Sequence, residues 1–282
     1  MFPLDQRAFH LDDYVAYPRE FITFLGPDSH VVSVCQSTVP VLAAISLMAS
    51  QGEPTPKSMT LIGGPIDARR DPTAVNELAA SKPLDWFEGG LIDTVPSDSP
   101  GAGRKVYPGF LQHLAFVAMN PARHLASYLN YYADVSAGDT EATAAHRRCY
   151  DEYNAVLDMA ADYYLETVRV VFQEFCFARG TWAVRGEAMC PQDIRSTALI
   201  TVEGERDDIC GSGQTHAIHD LCAGLDDSCQ HRLTTRGCGH YGIFSGNALR
   251  REIYPHLREL IYQKASREVA ESRSECLEDM AA

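Results

Sequence analysis

The segment His30-Val-Val-Ser-Val-Cys-Gln-Ser-Thr-Val-Pro40 decides the fold. Val31, Val32 and Val34 form a β-branched run suited to a buried parallel strand. Pro40-Val-Leu-Ala-Ala-Ile-Ser-Leu-Met-Ala49 then reads as an apolar helix with proline in its first turn. Cys35 falls at the turn between them. Beyond the helix lies a polar, proline-rich stretch over 51–57, and Ser58-Met-Thr-Leu-Ile-Gly-Gly-Pro65 reads as a second buried strand running into glycines. Strand, turn, helix, strand is a βαβ unit, whose handedness gives a parallel sheet with Cys35 at its carboxyl edge. That is the edge where α/β sheets carry their chemistry.

Working outward, residues 11–25 have apolar positions at helical spacing, with a kink or restart expected at Pro18. Residues 66–195 look different. They carry long helical patterns over 140–157 and 158–175, and the aromatic residues of the chain concentrate between Trp86 and Trp182. This stretch reads as a helical cap inserted into the sheet. Tyr131, Tyr132, Tyr150, Tyr153, Tyr163 and Tyr164 read as its core before they read as a substrate groove. The sheet resumes at Thr197-Ala-Leu-Ile-Thr-Val-Glu203, followed by the turn Gly204-Glu-Arg-Asp-Asp-Ile209. A helix is expected over 213–222, a last strand from His231, then the glycine-rich loop Gly237-Cys-Gly-His-Tyr-Gly242 and an amphipathic closing helix over 247–264. The expected organisation is a core of 1–65 with 196–264, an insertion of 66–195, and a charged tail of 265–282.

A chain of 282 residues can bury the core of one large α/β domain with an insertion. Hydrophobic residues make up 45% and charged residues 22%, a balance that excludes a mainly disordered chain. The net charge of -14 argues against nucleic acid as a partner, because no basic stretch could displace counterions from a phosphate backbone. Nine cysteines, an odd number without a C-x-x-C pair, speak against a disulfide framework or a zinc knuckle. His216 and His219 lie three apart with no third ligand nearby, so no metal is expected there. The amino-terminal residues lack the pattern of a secretory signal, and no apolar run reaches the roughly 18 residues of a membrane span. A reducing, cytoplasmic setting is expected.

Hydrolases with a strand–turn–helix nucleophile use the pattern G-x-S-x-G, whose small flanks let the backbone bend sharply. Here it becomes Ser33-Val34-Cys35-Gln36-Ser37, with serines at both glycine positions. Taken alone, a cysteine after a valine strand reads as an inert core residue. The joint pattern is more specific. Cys35 follows one strand, an aspartate of Arg206-Asp207-Asp208 another, and His240 the last, which is the chain order nucleophile, acid, histidine. A thiol at its ordinary pKa is only a few per cent ionised at neutral pH, so His240 would take its proton and a carboxylate would fix the imidazole tautomer. Spacing does not decide between Asp207 and Asp208, and Asp67, also beyond a strand end, is a rival. Ser212 between Gly211 and Gly213 is rejected as an elbow because no apolar strand leads into it. His30 reads as a surface residue.

Phe9-His-Leu-Asp-Asp-Tyr14, Val34-Cys-Gln-Ser37, Met59-Thr-Leu-Ile-Gly-Gly-Pro-Ile-Asp67, Val106-Tyr-Pro-Gly-Phe110, Val202-Glu-Gly-Glu-Arg-Asp-Asp-Ile209 and Gly239-His-Tyr-Gly242 together resemble the intracellular polyhydroxyalkanoate (polyhydroxybutyrate) depolymerases. The resemblance runs along nearly the whole chain. It implies an α/β-hydrolase fold, a cysteine nucleophile at Cys35, a histidine at His240 and, through the Asp-x-Ile match, an acid at Asp207. It also implies poly(3-hydroxybutyrate) or its oligomers as substrate, an acyl-cysteine intermediate, no cofactor and no metal, and a place at the surface of cytoplasmic storage granules.

Two departures from the family pattern stand out. Ser37 occupies a position where the family commonly has proline, a change expected to be tolerated at a helix start. Only 34 residues precede Cys35, too few for the early strands of the family's sheet. One oxyanion donor is expected from the backbone N–H of Gln36, and the other would come from a loop ahead of the nucleophile strand. A sheet lacking those strands would leave an edge open beside Cys35, for a partner chain or a second copy to cover. Two further expectations follow: a granule-binding protein without catalysis, if half the oxyanion hole is missing, or transfer of the acyl group to a thiol such as coenzyme A in place of water.

Overall fold

The computed structural model describes residues 8–262; the charged tail expected over 265–282 lies outside them. Four parallel strands make the main sheet: β1 (His30–Val34), β2 (Ser58–Ile62), β3 (Ala198–Gly204) and β4 (Gln230–Thr235), in that spatial order. Val34 pairs with Ile62 and Ile62 with Val202, so the carboxyl ends are level. β2 and β3 are buried at every position, as strands covered on both faces must be; β1, expected to be buried, is an edge strand with only Ser33 buried and Val32 exposed, and β4 at the other edge is partly exposed. A single 3-10 turn, Cys35–Ser37, joins β1 to helix α2 (Thr38–Ser50).

Helix α1 (Leu11–Leu25) packs on α2 and buries Leu11, Val15 and Ile22. It runs unbroken through Pro18, against the restart expected from the sequence. Proline removes one backbone hydrogen bond, and the packing of its own buried ring and of the neighbouring apolar face outweighs that loss. Of the helix expected over 213–222, only Ile218–Leu221 is regular; residues 213–217 form turns, and the N–H groups of Gly213 and His216 donate to the buried Glu203 carboxylate, both at 2.8 Å.

The described residues divide into two units, one of residues 8–10 with 81–168 and one of residues 11–80 with 169–262. Residues 66–80 and 169–195 therefore group with the sheet. Asp67 N–H donates to Gln214 O, and Thr73 Oγ1 donates to Ile209 O, which ties 66–80 to the segment after β3. Arg185 in the hairpin of Ala183–Val184 and Glu187–Ala188 meets Asp13 of α1 at 2.8 Å.

Within the other unit, three helices follow one another: α3 (Gly109–Met119), α4 (Pro121–Ala137) and α5 (Thr140–Asn154). The helix expected over 158–175 starts late, at Ala161, and continues from Thr167 into π-helical turns over Val168–Gln173. Asp158 accepts from Gly109 N–H, and Met159–Ala160 pairs antiparallel with Val106 and Tyr107. His124 bonds the hydroxyls of Tyr150 at 3.0 Å and Tyr153 at 3.3 Å, and His146 stacks on Tyr131 and Tyr150, each at 4.5 Å. Among the described residues no helix is long and apolar enough to cross a membrane.

Candidate active site

Cys35 sits at the carboxyl end of β1 with φ 58°, in the left-handed region that a residue with a side chain seldom enters. Such a conformation costs on the order of 1–3 kcal/mol and persists only where its surroundings impose it. Here β1 ends inside the sheet while the next residues wind at once into the turn and α2, which is buried from Thr38 to Met48. Ser37 Oγ donates to Val34 O at 2.8 Å and lies 3.3 Å from both Val34 N and Ser33 Oγ. Thr38 Oγ1 donates to Cys35 O at 2.8 Å. The thiol is half-buried and lies within electrostatic reach of the His240 ring.

His240 begins a short 3-10 turn after β4, and its side chain is 3% exposed. Ile243 in the same turn anchors it to the sheet through Ile62, Ile200 and Val202. Nδ1 of His240 lies 2.7 Å from Oδ2 of Asp207, so Nε2 is the nitrogen left for Cys35. Asp207 Oδ1 accepts from the N–H groups of Ile209 at 2.9 Å and Cys210 at 2.8 Å, which fixes the carboxylate plane. The two loops are joined directly by Arg206 N–H donating to Cys238 O at 2.9 Å.

Gly63 explains why β2 must end in glycine. Its φ is 57°, and a Cβ there would come within 2.8 Å of Ile243 Cδ1 and 3.2 Å of His240 Cε1. The flat glycine backbone gives the imidazole its seat. The sequence carries a trace of this in the Gly-Gly pair after a strand, although nothing local connects it to a histidine far along the chain.

Of the residues singled out from the sequence, Cys35, Asp207 and His240 come together at one rim of the sheet. Asp67 is engaged elsewhere: Arg69 grips it with Nε at 2.7 Å and Nη2 at 2.9 Å, and Arg70 adds its charge. Burial would raise the Asp67 carboxyl, but these arginines prevail and hold it below the usual carboxylate range. Gln36 follows Cys35 in the turn, and its N–H is among the leading donors of a helical segment, which lack partners within the helix. His30 is not merely a surface residue, since Nδ1 lies 2.7 Å from Ser58 Oγ. His216 and His219 both meet Thr201 Oγ1, at 2.7 and 2.8 Å, in a hydrogen-bonded network. Among the described residues no group of three or more His, Cys, Asp or Glu side chains is placed to hold a metal ion.

Burial alone would drive the His240 pKa down. Hydrogen bonds to Asp207 and Cys35, with the charges of both, overcome this and push it up to about 10. The folded protein therefore favours the imidazolium more than the unfolded chain does, whose histidine titrates near 6.5. The resulting stabilisation is complete below about pH 6.5 and disappears as the pH rises through about 10. Melting temperature should fall from pH 7 to pH 10, and His240→Gln should flatten that slope; equal slopes in the two proteins would contradict the assignment.

Residues 63–265 match a family model described as PHB de-polymerase C-terminus. The matched span contains Asp207 and His240, and Cys35 lies ahead of it. No curated protein matches the chain. Among solved structures, the monoacylglycerol lipase of Paleococcus ferrophilus is similar at 9% identity, covering 91% of this chain and 77% of its own, with a TM-score of 0.50. The protein BpoC of Mycobacterium tuberculosis H37Rv is similar at 12% identity, covering 92% of this chain and 76% of its own, with a TM-score of 0.50. At such identities the likeness speaks for the fold, which is that of the α/β-hydrolases.

Proposed function

We propose, from the premise that this chain belongs to the PHB de-polymerase C-terminus family, that it hydrolyses the ester bonds of poly(3-hydroxybutyrate) or its oligomers through an acyl-cysteine. One observation carries the reading: Cys35, bent into the left-handed region where strand turns to helix, lies within electrostatic reach of a histidine whose Nδ1 is held by Asp207 at 2.7 Å. Neither a core cysteine nor a structural histidine requires that combination.

In the proposed reaction His240 has taken the thiol proton before attack, giving the imidazolium that its raised pKa favours, and the sulfur then forms a bond to the ester carbonyl carbon. The carbonyl oxygen takes the negative charge, and the Gln36 N–H, aligned with the start of α2, is the donor that meets it. When the tetrahedral adduct collapses, the ester C–O bond breaks and the leaving alkoxide takes the proton from His240, departing as the 3-hydroxyl end of the chain. Water then attacks the thioester carbon while His240 accepts its proton. The C–S bond breaks, the acid product leaves and the thiol is restored. Asp207 holds Nδ1–H throughout, so that Nε2 is free to exchange protons.

Acid quenching during turnover of a soluble 3-hydroxybutyrate oligomer should leave a hydroxybutyryl mass on the peptide containing Cys35. Turnover without any such adduct, under conditions where an added thiol captures no acyl group, would remove the covalent route.

A further inference from the structure

We propose that Ser37, assisted by Ser33 and Thr38, is a positioning residue that holds Cys35 in its reactive conformation by gripping the peptide groups on either side of it. The inference rests on Cys35 being the nucleophile. The usual turn of this kind has glycine two residues before and two after its nucleophile, which keeps side chains out of a sharp bend. Here both places carry serine, and the two hydroxyls face each other across the turn at 3.3 Å. What would be a crowded position has become a hydrogen-bonded one.

The bonds have a specific geometric effect. The torsions of Cys35 are set by the peptide planes that precede and follow it. Val34 O belongs to the preceding plane and accepts from Ser37 Oγ at 2.8 Å, while Val34 N at 3.3 Å lies against the same oxygen. Cys35 O belongs to the following plane and accepts from Thr38 Oγ1 at 2.8 Å. Both planes are thereby held, and φ of Cys35 stays at 58°. The second plane also carries the Gln36 N–H, so Thr38 orients the proposed oxyanion donor. Thr38 cannot swing away, because its Oγ1 lies only where a Cβ on Gly64 would fall, against the backbone after β2.

The test compares wild type, Ser37→Ala, Ser37→Thr and Thr38→Val for kcat and KM on a soluble 3-hydroxybutyrate oligomer. A displacement of the sulfur by about 1 Å costs as much as a hundredfold in rate. Ser37→Ala should lose at least fivefold in kcat with KM changed less than twofold, and Ser37→Thr, which restores the hydroxyl, should recover most of the loss. A merely structural role would lower the yield of folded protein and leave kcat per folded molecule untouched. A loss below fivefold in Ser37→Ala, or equal losses in Ser37→Ala and Ser37→Thr, overturns the proposal. If Ser37→Ala does not fold, Thr38→Val decides by the same kcat and KM criterion. The acyl adduct on wild-type Cys35 is measured first: its absence removes the nucleophile assignment, whereas its presence with an unaffected Ser37→Ala removes only the brace.

Discussion

Cys35→Ala should abolish hydrolysis of 3-hydroxybutyrate oligomers, with kcat falling by on the order of 10⁴ to 10⁶ and no acyl adduct remaining. The size of the effect follows from the step removed. With no sulfur at position 35, His240 has no nucleophile to deprotonate, and only substrate binding and the oxyanion donor remain to assist direct attack by water. The fold should survive, because the thiol is half-buried and its loss opens no core cavity. Circular dichroism and the denaturation midpoint should stay close to wild type. Activity retained within tenfold in the alanine protein would eliminate Cys35 as nucleophile.

The second large effect is expected from Asp207→Asn, at about 10⁴ in kcat. The two backbone N–H groups of Ile209 and Cys210 already occupy one side of the carboxylate, at 2.9 and 2.8 Å. An asparagine would keep its carbonyl oxygen there and turn its NH₂ toward His240. A donor facing Nδ1 selects the tautomer with the proton on Nε2, which cannot then accept from the thiol. Asp67→Asn is the paired control, since that carboxylate is committed to Arg69. It should change kcat by no more than a few fold. If the two variants exchanged behaviours, the acid would be Asp67. Equal, small losses would leave His240 without an orienting carboxylate.

Much of this arrangement can be read along the chain. The valine run, the turn at Cys35 and the apolar helix sit next to one another in sequence, and their periodicities give β1, α2 and the parallel pairing with β2 directly. The order of cysteine, aspartate and histidine is similarly visible, because each follows a strand end. Spacing alone leaves the acid open, since Asp67, Asp207 and Asp208 all follow strands; the family's Asp-x-Ile match points to Asp207, whose Oδ2 lies 2.7 Å from His240 Nδ1. Contacts at long range defeat local patterns elsewhere. Residues 213–217 of the expected helix form turns whose N–H groups donate to Glu203, a partner nothing local foretells. Met159–Ala160, at the start of 158–175, likewise pairs with Val106 and Tyr107. The hydroxyls around Cys35 look in the sequence like a degraded glycine motif, and only their mutual distances show that they bond to each other.

Helix α2 has no outward side from Thr38 to Met48: each residue there is covered. A cylinder enclosed in this way cannot rock or slide without tearing the interior, because close-packed interiors transmit displacement and do not absorb it. The sulfur is mounted on the end of that cylinder, so it is the stationary member of any encounter with an ester. Accommodation of a longer or bulkier acid must therefore come from whatever surrounds the incoming chain. Attempts to change which esters this protein accepts should leave the mounting alone and alter the walls.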